Sequence, residues 1–313
     1  MANAVEHAEP VYGRRHPFTI QTRQTIEAYI GLTPYLAGFL IFTLGPILYS
    51  LYLSFTDYDV LSPPKWIGAA NYVKMFTVDN LIPHSLWITF KYTIVAVPAG
   101  VVVGYALGLL LNEKAVGLSF WRTAFYMPSV VPALATAYLF MWLLQADYGL
   151  INTALRAVGL PAPKWWGDPD TVIWCFILMA LWGAGGGVIL YLSSLQGVPT
   201  DLYDAAKVDG ANAWQRFRHV TLPMTSPVIF FTFLTGMIAS FQVFTQVFVS
   251  SNGGPANGSL FYMLYLYRIA WTELKMGYAA AMAWVLFLIL LVLTVLVLRL
   301  SGRLVYYAGE ERN

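Results

Sequence analysis

The chain has 313 residues, of which 58% are hydrophobic and only 11% charged. Soluble domains carry roughly 25% charged residues, so this composition excludes an ordinary soluble fold and implies an integral membrane protein. A net charge of +2 gives no basis for nucleic-acid binding, and the single cysteine, Cys175, excludes an intramolecular disulfide.

Residues 1–26 are polar and contain Arg14, Arg15 and Arg23, without a short apolar run ending in a small-residue cleavage site. They read as a cytoplasmic tail rather than a signal peptide. A helix needs about 20 apolar residues to cross the hydrocarbon core. Six segments meet that length, near 28–55, 86–111, 121–146, 171–195, 226–250 and 277–299. None contains an acid, and the basic residues Lys91, Arg122 and Arg299 lie toward segment ends. Unbroken apolar runs imply helices, because barrel strands would alternate over about 10 residues. The expected fold is therefore an all-α integral membrane protein with six transmembrane helices. It divides into a tail over 1–27, a first span with an external segment over 28–85, a five-helix core over 86–300, and a tail over 301–313.

Within the second segment, Gly100, Gly104 and Gly108 share one helix face, which permits close helix packing. "GAGGG" at 183–187 permits either close backbone approach or a bend. Lysine and arginine set orientation. One side holds Arg14, Arg15, Arg23, Lys114, Arg122, Lys207, Arg216, Arg218, Arg299, Arg303 and Arg312, and the other holds the remaining seven. Both termini, the 112–120 loop and the 196–225 loop are accordingly expected in the cytoplasm. The loops near 56–85, 147–170 and 251–276 are expected outside.

The 196–225 loop is the longest polar interval of the second half, "DAAKVDGANAWQRFRHVTLP" over 204–223. Thr200 is placed to cap a helix, with Asp201 and Asp204 in its positive first turn. Asp209-Gly210 can stop it, glycine being free to take positive φ. Asn212 with Gln215 three residues later resembles a capping box, and Leu222-Pro223 is expected to end the second helix. Ala205 and Ala206 leave one surface without bulk. The product is a cytoplasmic helix–turn–helix, suited to receiving another protein.

The chemistry available is narrow. No Gly-Lys pair occurs, so the chain has no P-loop and cannot hydrolyse ATP by that route. The histidines His7, His16, His84 and His219 lie away from span centres, and no acid lies mid-span, which disfavours an ion-coupled carrier. No metal-ligand spacing is present, and Asp168 with Asp170 in an external loop is better read as a turn than as a catalytic pair.

The residues Asp204-Ala205-Ala206, Asp209-Gly210-Ala211, Phe217 and Leu222-Pro223 resemble the EAA loop of permease subunits of binding-protein-dependent ABC importers, with Asp204 where that family usually has glutamate. The resemblance covers nearly the whole chain beyond residue 27 and narrows to the carbohydrate branch. It extends through "WIGAANYVKMF" (66–76), "FWRTAFYMPSVVP" (120–132), "YGLINTALRAVGL" (148–160), "WWGDP" (165–169) and "MGYAAAMAW" (276–284). The 241–271 segment also follows the pattern, with Ser251 and Ser259 near its usual threonines. The resemblance implies a non-catalytic sugar or oligosaccharide permease in a prokaryotic inner membrane. It implies a homologous second permease, two cytosolic ATPase subunits that carry ATP and magnesium, and an extracytoplasmic solute-binding protein. This chain would bind no cofactor. The EAA residues would dock in the ATPase.

A neutral sugar needs aromatic faces and amides or hydroxyls along its route. Gln242 and Gln246 are spaced i, i+4 and are expected on one helix face, toward either the route or the second permease. Phe241, Tyr138, Trp142 and Trp182 are further candidates, against the alternative of interfacial or core aromatics. An ion-coupled carrier and a pore-forming or receptor-like subunit are the competing classes.

Overall fold

The computed structural model describes the backbone of residues 20–113 and 116–304, and side chains from 24–113 and 116–301. Most of the predicted N-terminal tail, Lys114 and most of the C-terminal tail, including Arg14, Arg15 and Arg312, lie outside the described residues. The chain divides into two compact units, at Tyr52 and Leu53.

The first unit is helical. Helix α1 (Ile20–Phe39) passes through a π-turn (Leu40–Leu44) into α2 (Gly45–Ser54), which runs across the unit boundary. The π-turn precedes Gly45-Pro46. A proline ring clashes with the carbonyl four residues back, and the wider turn relieves that clash.

In the second unit, a short antiparallel pair, β1 (Thr56–Asp57) with β2 (Lys65–Trp66), leads to α3 (Ala70–Thr77). Helix α4 (Leu81–Asn112) is the second predicted span and begins five residues earlier than expected, so Lys91 lies well within it. Helices α5 (Leu118–Val130) and α6 (Ala133–Leu143) correct the third span: it bends by 97°. The cause is Pro132. Its ring forces Val131 out of helical geometry, to φ −67° and ψ 127°, and Pro132 itself has ψ 143°.

After α7 (Leu150–Ala157), the fourth span comprises α8 (Val172–Trp182) and α9 (Val188–Gln196), joined by a 3₁₀ segment over Gly183–Gly187. A Cβ at Gly185 would sit 1.9 Å from the Phe125 carbonyl oxygen, so only glycine lets α5 approach this closely. Gly104 and Gly108 pack on the Tyr191 side chain, as expected of that α4 face, whereas a Cβ at Gly100 would meet nothing within 4 Å.

The polar segment forms α10 (Thr200–Val208) and α11 (Ala213–Arg216). A π-turn (Phe217–Thr221) carries α11 into α12 (Leu222–Phe241). The fifth span does not continue to 250 as one helix. The backbone leaves helical geometry at Gln242–Phe244 before α13 (Thr245–Ser250). Helix α14 (Tyr262–Tyr267), a third π-turn and α15 (Met276–Leu304) complete the described residues.

The described residues thus hold five helices long and apolar enough to cross a membrane, and six spans if the bent pair is counted as one. The core is centred on Phe176, Phe261, Tyr262 and Met282, all at most 2% exposed. Tyr262 is paired within it: its amide donates to Thr89 Oγ1 and its hydroxyl to the Met282 carbonyl, both at 2.9 Å.

Candidate functional site: an exposed helical loop and an inter-helix cavity

The polar loop is built largely from local capping. Helix α10 ends in a Schellman arrangement. The Gly210 amide donates to the Lys207 carbonyl (3.0 Å), the Ala211 amide to the Ala206 carbonyl (2.9 Å), and Gly210 takes φ +75°. Helix α11 opens with the predicted capping box: Gln215 N–H donates to Asn212 Oδ1 (2.9 Å), and Asn212 N–H donates to Gln215 Oε1 (2.8 Å).

Two local expectations are corrected. Thr200 does not cap α10; Pro199 occupies that position and no side chain caps it. Leu222-Pro223 does not end the second helix. The π-turn at Phe217–Thr221 accommodates Pro223, and Leu222 N–H bonds the Phe217 carbonyl five residues back. The polar loop therefore runs without a break into the fifth span.

Asp204, Ala205, Asp209 and Gly210 are exposed, while Ala206 and Ala211 are half-buried. Asp204 pairs with Lys207 at 2.7 Å, on the open surface where such pairs contribute little. Two large apolar side chains stand beside the motif: Val208 is 89% exposed and Trp214 67%. Phe217 turns inward instead, packing on Tyr105 and Trp214.

Three tyrosine–threonine hydrogen bonds hold the continuous helix from α11 through α12 against its neighbours. Tyr203 on α10 meets Thr221 (3.0 Å), Tyr105 on α4 meets Thr225 (2.8 Å), and Tyr191 on α9 meets Thr232 (2.8 Å). Thr225 and Thr232 each donate their own hydroxyl to a backbone carbonyl of their helix. The Tyr105 and Tyr191 hydroxyls are therefore the donors. All three threonines lie on the α11–α12 rod.

Between α4, the 3₁₀ segment and α12 lies a cleft of about 300 Å³, lined by small residues such as Gly100, Gly183 and Gly236 together with Tyr92, Tyr191 and Ser240. A second cavity of about 60 Å³ shares Tyr92, Ala180 and Val243 with it and adds Thr136, Phe176, Met179 and Gln246. Among the described residues, no charged side chain lines either one.

Of the aromatic and amide candidates named from sequence, Gln246 alone borders these cavities. The helix break separates it from Gln242, so the two amides do not share one continuous helix face; Gln242 is exposed. Phe241 is buried in the core and borders a different groove, beside Pro83 and Trp87. Tyr138 and Trp142 are 60% and 55% exposed, and half-buried Trp182 packs edge-on to Phe140. Sequence reasoning missed Tyr92 and Thr136. A signal for the first was present: Ser85, Thr89 and Thr93 set a polar i, i+4, i+8 stripe beside Tyr92 on an otherwise apolar helix.

At the end of the second unit opposite the polar loop, Asp79 Oδ2 accepts from the Tyr265 and Tyr278 hydroxyls, both at 2.7 Å, and its Oδ1 accepts from Leu81 N–H. This carboxylate ties the starts of α4 and α15 to α14. Asp168 serves its turn, accepting from the Asp170 amide.

Comparison with known proteins gives this geometry a family. Residues 96–306 match the model of the "binding-protein-dependent transport system inner membrane component". The probable ABC transporter permease protein YesP of Bacillus subtilis is 37% identical over 293 residues, covering 92% of this chain and 94% of the relative. The lactose transport system permease protein LacF of Rhizobium radiobacter is 32% identical, covering 92% and 95%. Among solved structures, a chain of a bacterial alginate ABC transporter, crystallised in complex with an alginate pentasaccharide-bound periplasmic protein, superposes with a TM-score of 0.78. It is 22% identical, covers 91% of this chain and 96% of its own, and supports the fold. The chain belongs to the family of binding-protein-dependent transport system inner membrane components, the non-catalytic permease subunits of ABC transporters.

Proposed function

We propose that this chain is one of two permeases of an importer for neutral sugars or oligosaccharides, set in the cytoplasmic membrane with both termini inside. The second permease is a homologous chain. An extracytoplasmic binding protein delivers the sugar, and a pair of cytosolic ATPases carrying ATP and magnesium docks on the 200–216 helices. The observation that carries this reading is the loop itself. Exposed order on a membrane protein usually serves a partner, and here Ala205, Ala206, Val208 and Trp214 leave a small-and-apolar surface that water alone does not reward. The uncharged cleft and the substrates that relatives are named for, lactose for LacF and arabinooligosaccharides for AraP of Bacillus subtilis, support a neutral carbohydrate.

The test is reconstitution of the importer with Gly210→Val and Ala206→Trp. A valine at φ +75° strains the Schellman turn by about 1–2 kcal/mol. A tryptophan at Ala206 overfills the docking face. Both variants are expected to assemble with the second permease, yet to lose ATP-driven uptake together with binding-protein stimulation of hydrolysis. Normal uptake in both would reduce the loop to a connector and remove the coupling assignment.

A further inference from the structure

Helix α7 (Leu150–Ala157) is amphipathic in the reverse of the usual sense. A helix on a soluble body buries its apolar side and shows its polar side to water. Here the polar side is the one tied to the protein. Asn152 is fully buried: its Nδ2 donates to the carbonyls of Ala146 (3.0 Å) and Pro163 (2.9 Å), and its Oδ1 accepts from Trp165 Nε1 (2.7 Å). One turn on, Arg156 donates to the carbonyls of Asp147 (2.7 Å) and Ala146 (2.6 Å). The opposite side turns outward. Leu150, Ala154 and Val158 follow one another at i, i+4 and i+8 with Ile151 beside them, and all four are exposed. Tyr148 and Leu160 extend this surface at its two ends; the five large side chains along it are 39–70% exposed. A contiguous apolar face of this kind marks a contact surface, where a single exposed leucine would not.

We propose that α7 is an interfacial anchor, with its outward face seated in the headgroup–acyl boundary of the phospholipid leaflet where the third span ends and the fourth begins. Depth is the first argument. The third span ends with α6 at Leu143 and the fourth begins with α8 at Val172, so both ends of the loop are tied to a membrane boundary. The residues between α6 and α7 are folded into turns by Gln145, whose carbonyl accepts from Gly149 N–H (3.0 Å) and whose Oε1 accepts from Asp147 N–H (2.6 Å). Aromatic side chains are the second. Trp142 and Trp174 stand at those two span ends and Tyr148 beside α7, all 45–66% exposed, and exposed tryptophan and tyrosine at span ends mark the headgroup level. Charge is the third. Residues 148–164 contain Arg156 and Lys164, both exposed, and no acid, which complements the phosphates of anionic phospholipids. Through the carbonyls of Ala146 and Asp147, the anchor holds the outgoing end of the third span, beyond its 97° bend, at a set depth. This contact belongs to the permease itself and is independent of the solute carried.

The experiment uses the assembled transporter in vesicles of phosphatidylethanolamine and phosphatidylglycerol. On a Cys175→Ser background, nitroxide labels are attached at Leu150→Cys, Ile151→Cys and Val158→Cys, with Asp170→Cys as the water-facing control. Electron paramagnetic resonance then compares relaxation by oxygen, which partitions into lipid, with relaxation by a water-soluble nickel chelate. The three α7 labels are expected to respond more strongly to oxygen, and the Asp170 label more strongly to nickel. The Ile151 label is measured again with Leu150→Asn and Val158→Asn, which thin the apolar face and leave the Asn152 and Arg156 bonds in place. Its response is expected to shift toward nickel. Size-exclusion chromatography identifies any variant that fails to assemble, and the remaining labels carry the test. Nickel dominance at all three positions would put the face in water and overturn the anchor. Weak response to both reagents would place the second permease on it, and loss of the oxygen response only on adding the binding protein would assign the face to that partner; either overturns the proposal. An unshifted Ile151 label in the asparagine variant would show that the neighbouring spans alone set the depth, and would overturn it as well.

Discussion

Gly210, Asn212 and Gln215 act over three or four residues of chain, so their roles are visible in the sequence. A glycine after Asp209 and an Asn-x-x-Gln spacing have few other local uses, and the structure places both as expected. Thr200 shows the limit of the same logic: a threonine at a helix start need not be the cap when Pro199 already fixes the entry. Gly185 lies beyond local reading altogether, because its importance comes from Phe125, sixty residues away. Replacing Gly185 with valine sets a Cβ within 1.9 Å of that carbonyl, so α5 must withdraw. The expected loss is about 1–3 kcal/mol by overpacking, read as a lower melting temperature of the purified complex. An unchanged melting temperature would show that α5 can withdraw freely.

Among the elements, proline has several outcomes: Pro34, Pro98, Pro128 and Pro227 lie within continuous helices. At Pro46 and Pro223 a π-turn lies immediately upstream and the helix continues; at Pro132 the helix bends by 97°. Hydrophobicity along 121–146 is continuous in both the bent and straight alternatives, so the segment's existence was legible and its shape was not. The sequence gives no local sign of which prolines are absorbed, since that depends on whether neighbours favour a widened turn or a turned chain. Pro132→Ala restores a donor and removes the constraint on Val131. Spin labels at Phe120 and Trp142 should then move apart, from about 21 Å in the bent form toward about 33 Å in a straight helix. An unshifted distance would assign the bend to the packing of α5 against the 183–187 segment instead.

For the whole molecule, the number of spans and the family were open to sequence reading because both follow from long runs and strictly spaced motifs. The cavity was not, because it exists only where α4, α6, α8, α12 and α13 meet, and no single segment announces Tyr92 as its joint. Orientation rests on the lysine and arginine excess. On a Cys175→Ser background, a cysteine at Asn212 should react with an impermeant thiol reagent only in inside-out vesicles, and one at Ala162 only in right-side-out vesicles. The reverse pattern would invert the topology and separate the 200–216 helices from the cytosol.

The helix that starts at Asn212 and runs unbroken through Pro223 to Phe241 has a mechanical consequence. From Ala213 to Phe241 it is about 43 Å long at 1.5 Å per residue, and a tilt of about ten degrees about the Tyr105–Thr225 contact displaces the far tip, about 24 Å away, by about 4 Å. Its hydroxyl bonds to Tyr203, Tyr105 and Tyr191 lie along the shaft, like bearings, while its tip ends in the non-helical joint Gln242–Phe244. That joint carries Val243, a shared wall of both cavities. Under the coupling proposed for the 200–216 helices, a tilt of this rod would be felt at Val243, where the two cavities share a wall.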